Sequence, residues 1–444
     1  MKILIYGATD IGCLLATEFF EDHDITVIDK EENRTEDFDK LDISFVQGNA
    51  ADLSVLKMAD IYNSDVFIAC TNLDEANIVA CMSAKRISGI KTICFVSNEE
   101  YKNALEQNKT NDFSDFYIDF VIWPEELLTQ ELFRIVTVAH ALDVENFADG
   151  RARLLEYKVQ SNSQIIGKMV KDCNFTNDTI IVGVKRGDLL FIPNGLTEIN
   201  EDDKLIFMGT SRSLNILAGT FFHENESVKT VSIIGGGKVG AMLAKTLEGM
   251  RIKTKIIEKN YDRCEELSQE LHSTLILNGD GTDLKLLNEE EIGMSDVVIS
   301  VTNNDERNLL CSLLVKQLGV KRVIARVSKV LNIPLFEKVG IDIAVSPKTS
   351  AITEVKNDTD DADVDILATV EQGEAEVLEI PVKDEFNNKF VKDIRFPAPA
   401  IIGIVQRRNR VIIPKGDTQI RSRDVLIIFT KAENAEKIKG LFKV

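Results

Sequence analysis

Short apolar runs alternate with stretches of helical length through two long portions of the chain. In the first portion the runs Lys2–Tyr6, Ile25–Ile28, Ile43–Val46, Val66–Cys70, Thr92–Val96 and Phe120–Ile122 predict six strands. In the second, Thr230–Ile234, Ile256–Ile257, Leu275–Leu277, Val297–Val301, Val323–Val327 and Ile343–Val345 do the same. Continuous apolar runs separated by helices predict parallel sheets covered on both faces. Beyond each portion the pattern changes to short strands separated by turn residues: Leu155–Val159, Ile180–Gly187 and Lys204–Met208, then Leu378–Val382, Ile401–Arg407 and Asp424–Phe429.

The two halves match each other. Gly235 lies 228 residues after Gly7, and Thr302 lies 231 after Thr71. Pro414 and Asp424 each lie 221 residues after their counterparts, Pro193 and Asp203. A period this long means duplication of a whole unit rather than a solenoid repeat. The predicted fold is therefore α/β, with two tandem Rossmann-like, doubly wound parallel sheets, each followed by a small β-rich α+β domain. The sheets occupy residues 1–124 and 230–348, and the small domains 151–222 and 373–444. Residues 125–150 form a crossover helix, 223–229 a linker, and 349–372 a crossover helix with an acidic linker. Between Glu125 and about Leu142 the apolar positions Leu127, Leu128, Leu132, Ile135, Val136 and Ala139 have helical spacing, which suits a helix packed outside its own sheet. The tract Asn357–Asp365 lacks the sixth-position glycine and distal glutamate of a calcium loop and reads as a solvated loop or linker.

Each parallel portion opens with a strand, a glycine turn and a helix. Gly235, Gly236, Gly237, Lys238, Val239 and Gly240 form a G-x-G-x-x-G turn, where tight turning, close approach to a pyrophosphate and helix packing each exclude a β-carbon. Glu258 ends the second strand, where a carboxylate accepts from a ribose 2′-OH; Asp280, Thr302 and Asn303 are expected on the rim. Thr302 and Asn303 have a second reading, as caps of the next helix. Arg326 on an apolar strand calls for an anionic partner, a phosphate or carboxylate, or for a structural ion pair.

The first turn is Gly7, Ala8, Thr9, Asp10, Ile11 and Gly12, with Asp29, Asn49, Thr71 and Asn72 as the corresponding site residues. Thr9 replaces a glycine, Asn49 stands for Asp280 and Phe95 for Arg326, so the first site is expected to bind more weakly, differently or not at all.

Charge and composition narrow the function. Lys and Arg number 52 against 72 Asp and Glu, a formal charge of −20 that repels nucleic acid and anionic lipid. No apolar run approaches the roughly 20 residues of a membrane span, and Met1–Tyr6 is too short for a signal peptide, which predicts a cytosolic protein without membrane insertion. Seven cysteines without a C-x-x-C predict buried free thiols and no metal site. His23, His140, His223 and His272 all fall away from the strand ends where a hydride acceptor would be held, and no acid–base set recurs between the halves.

The glycine turn, the acidic strand end, a T-x-x-D-E-x-N turn (Thr71, Asp74, Glu75, Asn77; Thr302, Asp305, Glu306, Asn308) and the late prolines Pro124 and Pro347, all duplicated, resemble the TrkA family. Its members are cytosolic regulatory subunits of bacterial Trk potassium uptake systems, built of two regulator-of-potassium-conductance (RCK) units. The resemblance implies a non-enzymatic regulator, peripheral on the inner face of the cell membrane and assembled as a homotetramer, or a dimer in isolation, on a membrane potassium-transport subunit. It also implies that NAD(H), and in some relatives ATP or ADP, shifts the assembly between shapes. The rival readings are an NAD-dependent oxidoreductase and a scaffold with vestigial sites.

Overall fold

A computed structural model describes the chain except for residues 32–40, 108–117, 138–142, 149–150, 162, 222–227, 360–364, 372, 409 and 443–444. Residues 223–227 of the expected 223–229 linker, with His223 among them, most of the acidic tract, Ala139, His140 and Leu142 lie outside the described residues.

The first parallel sheet contains β1 (Lys2–Tyr6), β2 (Asp24–Asp29), β3 (Ser44–Gln47), β4 (Val66–Ala69), β5 (Lys91–Phe95) and β6 (Phe120–Ile122). The helices α1 (Asp10–Phe19), α2 (Leu53–Met58), α3 (Asp74–Ser88) and α4 (Glu99–Gln107) connect these strands, and α5 (Pro124–Thr137) follows. The order β3-β2-β1-β4-β5-β6 reverses direction between β1 and β4, which opens a crevice at the carboxyl ends of those two strands.

The first small domain is antiparallel: β7 (Asp143–Phe147), β8 (Ala152–Lys158), β9 (Thr179–Arg186), β10 (Leu189–Phe191) and β11 (Lys204–Thr210), ordered β10-β9-β11-β8-β7 and closed by α6 (Ser211–Phe221).

The plan then repeats. Strands β12 (Thr230–Ile234), β13 (Lys253–Glu258), β14 (Leu275–Asn278), β15 (Val297–Ser300), β16 (Arg322–Arg326) and β17 (Ile343–Val345) take the order β14-β13-β12-β15-β16-β17. Their helices are α7 (Lys238–Gly249), α8 (Tyr261–Glu270), α9 (Leu284–Glu289), α10 (Asp305–Gln317) and α11 (Ile333–Lys338), followed by α12 (Pro347–Thr359). The last domain holds β18 (Asp365–Val370), β19 (Ala375–Pro381), β20 (Ala400–Arg407), β21 (Arg410–Ile412), β22 (Asp424–Lys431) and α13 (Ala435–Phe442).

Packing divides the chain differently from its sequence order. One unit comprises Met1–Leu128 with Ser346–Thr359, the other Thr129–Val345 with Asp360–Val444. In the first unit α12 docks on the first sheet although it follows the second. Its Ala351 and Val355 are fully buried in one core with Ile3, Ile5, Leu15, Phe19 and Ile68. In the second unit the carboxyl-terminal part of α5, with Leu132 and Val136 fully buried, packs with the second sheet, where Arg322 Nη2 donates to the Ile135 carbonyl at 2.7 Å. The carboxyl-terminal part of α5 thus groups with the second sheet and α12 with the first, while Leu127, near the start of α5, packs against the first sheet's core. Within the segment expected as a crossover helix over 125–150, α5 is described as far as Thr137, and β7 pairs with β8 from Asp143. Likewise the 349–372 segment holds the rest of α12 and then the strand β18.

The two small domains share one core, with Leu154, Val182, Ile206 and Met208 packed among Val370, Val377, Ile427 and Phe429. A one-sided ion cluster accompanies it. Lys204 Nζ lies 3.0 Å from Glu371 and 3.5 Å from Glu156, and Lys185 Nζ lies 2.9 Å from Glu371 and 2.8 Å from Glu374. Burial opposes the charge on Lys204, but Glu156, Glu371 and Glu337 outweigh it and hold its ammonium well above the usual range. The repeat places Val425 and Gln406 where Lys204 and Lys185 stand, so this cluster marks one side of an otherwise symmetrical pair.

Candidate nucleotide site

The two glycine turns have nearly the same backbone. Gly7 and Gly235 adopt φ values of +119° and +112°, a region that disfavours any side chain. A β-carbon on Gly12 would lie 1.9 Å from the Gly7 carbonyl oxygen, and one on Gly240 2.0 Å from that of Gly235. The first and last glycines therefore let the helix start against the strand end.

The middle position differs. Gly237 has φ −68° and ψ −167°, and Thr9 has φ −79° and ψ 173°, both extended and open to any residue. A β-carbon on Gly237 would meet nothing within 4 Å, so this glycine keeps open space in front of the helix. No side chain caps α7 at Gly237. Thr9 Oγ1 instead accepts from Gly12 N at 3.3 Å and donates to the Cys70 carbonyl at 2.9 Å. Thr9 thus serves as an ordinary helix cap, using a donor that a phosphate would otherwise take.

The acidic strand ends sit where the sequence places them and hold the turns. Asp29 Oδ2 accepts from Ala8 N at 2.6 Å, and its Oδ1 from Glu31 N at 3.0 Å. Glu258 Oε2 accepts from Gly236 N at 2.7 Å, and its Oε1 from Asn260 N at 2.8 Å. A carboxylate offers about four lone-pair sites, so each of these two retains capacity for a ribose hydroxyl.

The rim residues are organised by the T-x-x-D-E-x-N motif. Buried Asn308 accepts at Oδ1 from Thr302 N (2.9 Å) and Thr302 Oγ1 (2.6 Å), and its Nδ2 donates to the carbonyls of Thr302 (3.0 Å) and Arg326 (2.9 Å). Asn77 repeats all four bonds with Thr71 and Phe95. Asp305 accepts from Ser328 N and Lys329 N, and Asp74 from Ser97 N and Asn98 N. The motif therefore staples the loop after the fourth strand to the loop after the fifth. Asp74, Asn77, Asp305 and Asn308 were absent from the sequence-derived site; the signal for them was the recurrence of the motif itself.

The capping reading of Thr302 and Asn303 is corrected: the cap of α10 is Asn304, which accepts from Arg307 N at 2.7 Å. Asn303 accepts at Oδ1 from Arg326 Nη1 at 2.6 Å, so the side chain that meets the Arg326 guanidinium there is a neutral amide. Asp280 accepts from Lys259 Nζ at 2.8 Å and from the Thr282 hydroxyl and N–H, which together hold its carboxyl well below the usual range. In the first copy Asn49 Oδ1 instead accepts from the hydroxyl of buried Tyr6 at 2.9 Å and from Ala51 N at 3.1 Å. Ile234 stands where Tyr6 does, so the first rim is tied to its own strand in a way the second is not. Asn72 falls in the turn after β4, Ile11 and Val239 lie in the first turns of α1 and α7, and Lys238 is exposed at the α7 start.

The described histidines, His23 and His272, precede β2 and β14 and so lie at the ends of the sheets away from the glycine turns. Of the seven cysteines, six are buried and Cys13 half-buried, all as free thiols. Burial pushes the Cys70 thiol, beneath the first turn, up to about 12, which leaves it protonated and unreactive. Among the described residues no group of three or more His, Cys, Asp or Glu could hold a metal ion. No helix is long and apolar enough to cross a membrane among those residues.

Comparison with known proteins decides the family. The TrkA-N domain matches residues 3–114 and again 231–347, and the TrkA-C domain matches 154–218 and 376–443. The Trk system potassium uptake protein TrkA homolog 1 of Methanosarcina mazei is 36% identical over 453 aligned positions covering all of both chains. The chain belongs to the TrkA family. Among solved structures, the GsuK channel bound to NAD has a TM-score of 0.62 at 19% identity and covers 99% of this chain and 78% of that one. GsuK bound to ADP has a TM-score of 0.50 at 15% identity, over 81% and 69%. At such identities these two establish the shared fold. TrkA-family membership and the duplicated TrkA-N and TrkA-C domains agree with the tandem architecture expected from the glycine turns and the D-E-x-N motif.

Proposed function

We propose that this TrkA-family chain is a nucleotide-sensing regulatory subunit that assembles, as a homotetramer, on a membrane potassium-transport subunit and gates potassium uptake. On this reading it works from the cytoplasm, peripheral to the inner face of the cell membrane. The observation that carries the proposal is the second glycine turn. Gly237 fronts open space, α7 has no side-chain cap, and Glu258 stands at the adjacent strand end. The fit to NAD(H) is good: backbone N–H groups at the α7 start face the pyrophosphate, Lys238 adds charge, and Glu258 takes the adenosine ribose. ADP or ATP would use the same contacts for its own ribose and phosphates. The relatives named as potassium uptake proteins, and the GsuK structures with NAD and with ADP, support both the role and the ligand class.

A sensor needs a ligand with different affinities for two shapes of the protein. The helices α5 and α12 supply elements through which such a difference can reach beyond each site. An NAD-dependent oxidoreductase would share the turns and the acidic strand ends. What separates the two is turnover. Calorimetry on the full chain should show binding of NAD, NADH, ADP or ATP below millimolar concentration, with NADH unchanged on incubation with a broad panel of carbonyl substrates. Steady oxidation of NADH by any of them would overturn the regulatory reading, and absence of all nucleotide binding would leave a scaffold.

A further inference from the structure

The first phosphate turn carries an acidic residue where the second carries a basic one, since Asp10 aligns with Lys238. A carboxylate at the helix start opposes a pyrophosphate. The missing cation comes from elsewhere in the chain. Lys348, second residue of α12, places Nζ 2.7 Å from Asp10 Oδ2. The Lys348 side chain is 15% exposed and Asp10 75%, so the lysine is the positioned partner and the carboxylate the loose one. Its position is set by packing: Ala351 and Val355 are fully buried against the first sheet, and Lys356 forms an ion pair with Glu18 two turns further along. Across the repeat both charges are exchanged, with Glu125 in the place of Lys348 and Lys238 in the place of Asp10. In chain order the first half thus carries two acids at these positions, Asp10 and Glu125, and the second half two lysines, Lys238 and Lys348, so the cation at the first turn is one that the second half supplies.

We propose that Lys348 is a phosphate ligand of the first nucleotide site, contributed by the second half of the chain. On binding, its ammonium leaves Asp10 for a phosphate oxygen, and Asp10 turns to solvent. The first site is then built from both halves, and a nucleotide there is felt by α12. This inference rests on the nucleotide-binding reading of the turns and names a residue outside the TrkA-N fingerprint that sets first-site affinity.

The test uses the full chain with the second site silenced by Gly237→Asp, a substitution the backbone accepts and that points a carboxylate into the phosphate space. ADP binding is then followed by calorimetry. Lys348→Gln should weaken it about tenfold, the loss of one charge-assisted hydrogen bond, and Asp10→Asn should strengthen it severalfold. Lys348→Arg should keep most of the affinity, and thermal melts should show that all three variants remain folded. A purely structural ion pair predicts instead that Lys348→Gln and Asp10→Asn act in the same direction, and that result, or no effect of Lys348→Gln, overturns the proposal. So does loss of all ADP binding in the Gly237→Asp parent when the unmodified chain binds ADP; the nucleotide-sensing reading then survives on the second site alone. If the unmodified chain binds neither ADP nor NAD, both fall.

Discussion

Thr9 and Gly237 sit at the same point of the same turn with almost the same backbone angles, yet one fills the space before its helix and the other leaves it open. The difference lies in side-chain chemistry alone, since neither position needs glycine for conformation. In the first copy the hydroxyl caps the helix and ties the turn to Cys70, Tyr6 holds Asn49, and Asp10 meets Lys348. In the second, the helix start has no side-chain cap and Lys238 replaces the acid. Duplication has kept the scaffold and let one copy satisfy its own donors internally. A donor already satisfied has less to gain from a phosphate, which is the physical content of the expectation that the first site is the weaker.

The largest expected effect comes from filling the open space. Gly237→Asp should abolish detectable NAD binding at the second site, a loss of at least about 3 kcal/mol, with a melting temperature close to that of the parent. Gly240→Ala is its structural contrast, because the β-carbon would meet the Gly235 carbonyl and the second sheet domain itself should be destabilised. Were Gly237→Asp to leave binding intact, the ligand would lie elsewhere. Next is Glu258→Ala, expected to weaken NAD binding by about 1–3 kcal/mol through loss of charge-assisted hydrogen bonds, some of it because the Gly236 N–H loses its acceptor. Asp29→Ala should cost less, in proportion to the occupancy of the first site, and equal costs in calorimetry would erase the distinction between the copies.

How much of this was legible in the sequence follows from what kind of signal each part carries. The sheets, their duplication and the acidic strand ends were readable because buried parallel strands are written as continuous apolar runs and the turn needs glycines at fixed spacing. Of the four edge strands that escaped, β10 and β21 are only three residues long, too short for a period to show, and β7 and β18 lie in stretches read as crossover segments. The placement of α5 and α12 was half visible: the helical apolar face of α5 announced a partner, but a face does not name what covers it. For the role of Asn77 and Asn308 the motif pointed to the residues and gave no role. Three of each asparagine's four hydrogen bonds stay within six residues, at Thr71 or Thr302, but the fourth reaches a carbonyl 18 residues away, that of Phe95 or Arg326, and pairing across that distance has no local pattern. Arg326 was noticed as out of place on its strand, while the neutral partner Asn303 could be found only in three dimensions.

Acid should separate the copies more modestly. Burial pushes the Glu248 carboxyl up, but the N–H groups of Ser273, His272 and Thr274 and the Thr274 hydroxyl outweigh it and hold it at about 2. A depressed carboxylate adds stability that is fully present above the unfolded value, about 4.3, and is lost as pH falls toward about 2. Phe20 stands at the matching place, just after α1, so the first copy has no such contribution. Glu248→Gln should therefore flatten the acid limb of stability between about pH 4.3 and 2 by about 1 kcal/mol, discounted for a partly exposed group. Denaturant melts across that range would show it, and an unchanged limb would mean that the cap is not formed in solution.

The smallest change tests the comparison most directly. Thr9→Gly gives the first turn the middle residue of the second. Exchanging a threonine cap for glycine costs only a few tenths of a kcal/mol, and losing the Thr9 bond to the Cys70 carbonyl adds about 1 kcal/mol or less, so the domain should stay folded. The Gly12 N–H then loses its internal acceptor and becomes available to a phosphate, which should raise first-site affinity for ADP or NAD severalfold, about 0.5–1 kcal/mol. The gain is limited because Asp10 and the Tyr6–Asn49 bond remain. Affinity that did not rise in calorimetry would place the weakness of the first site in those two features instead of in the cap, and Thr9→Gly combined with Asp10→Lys, which recreates the second turn at both positions, would then distinguish the charge from the rim.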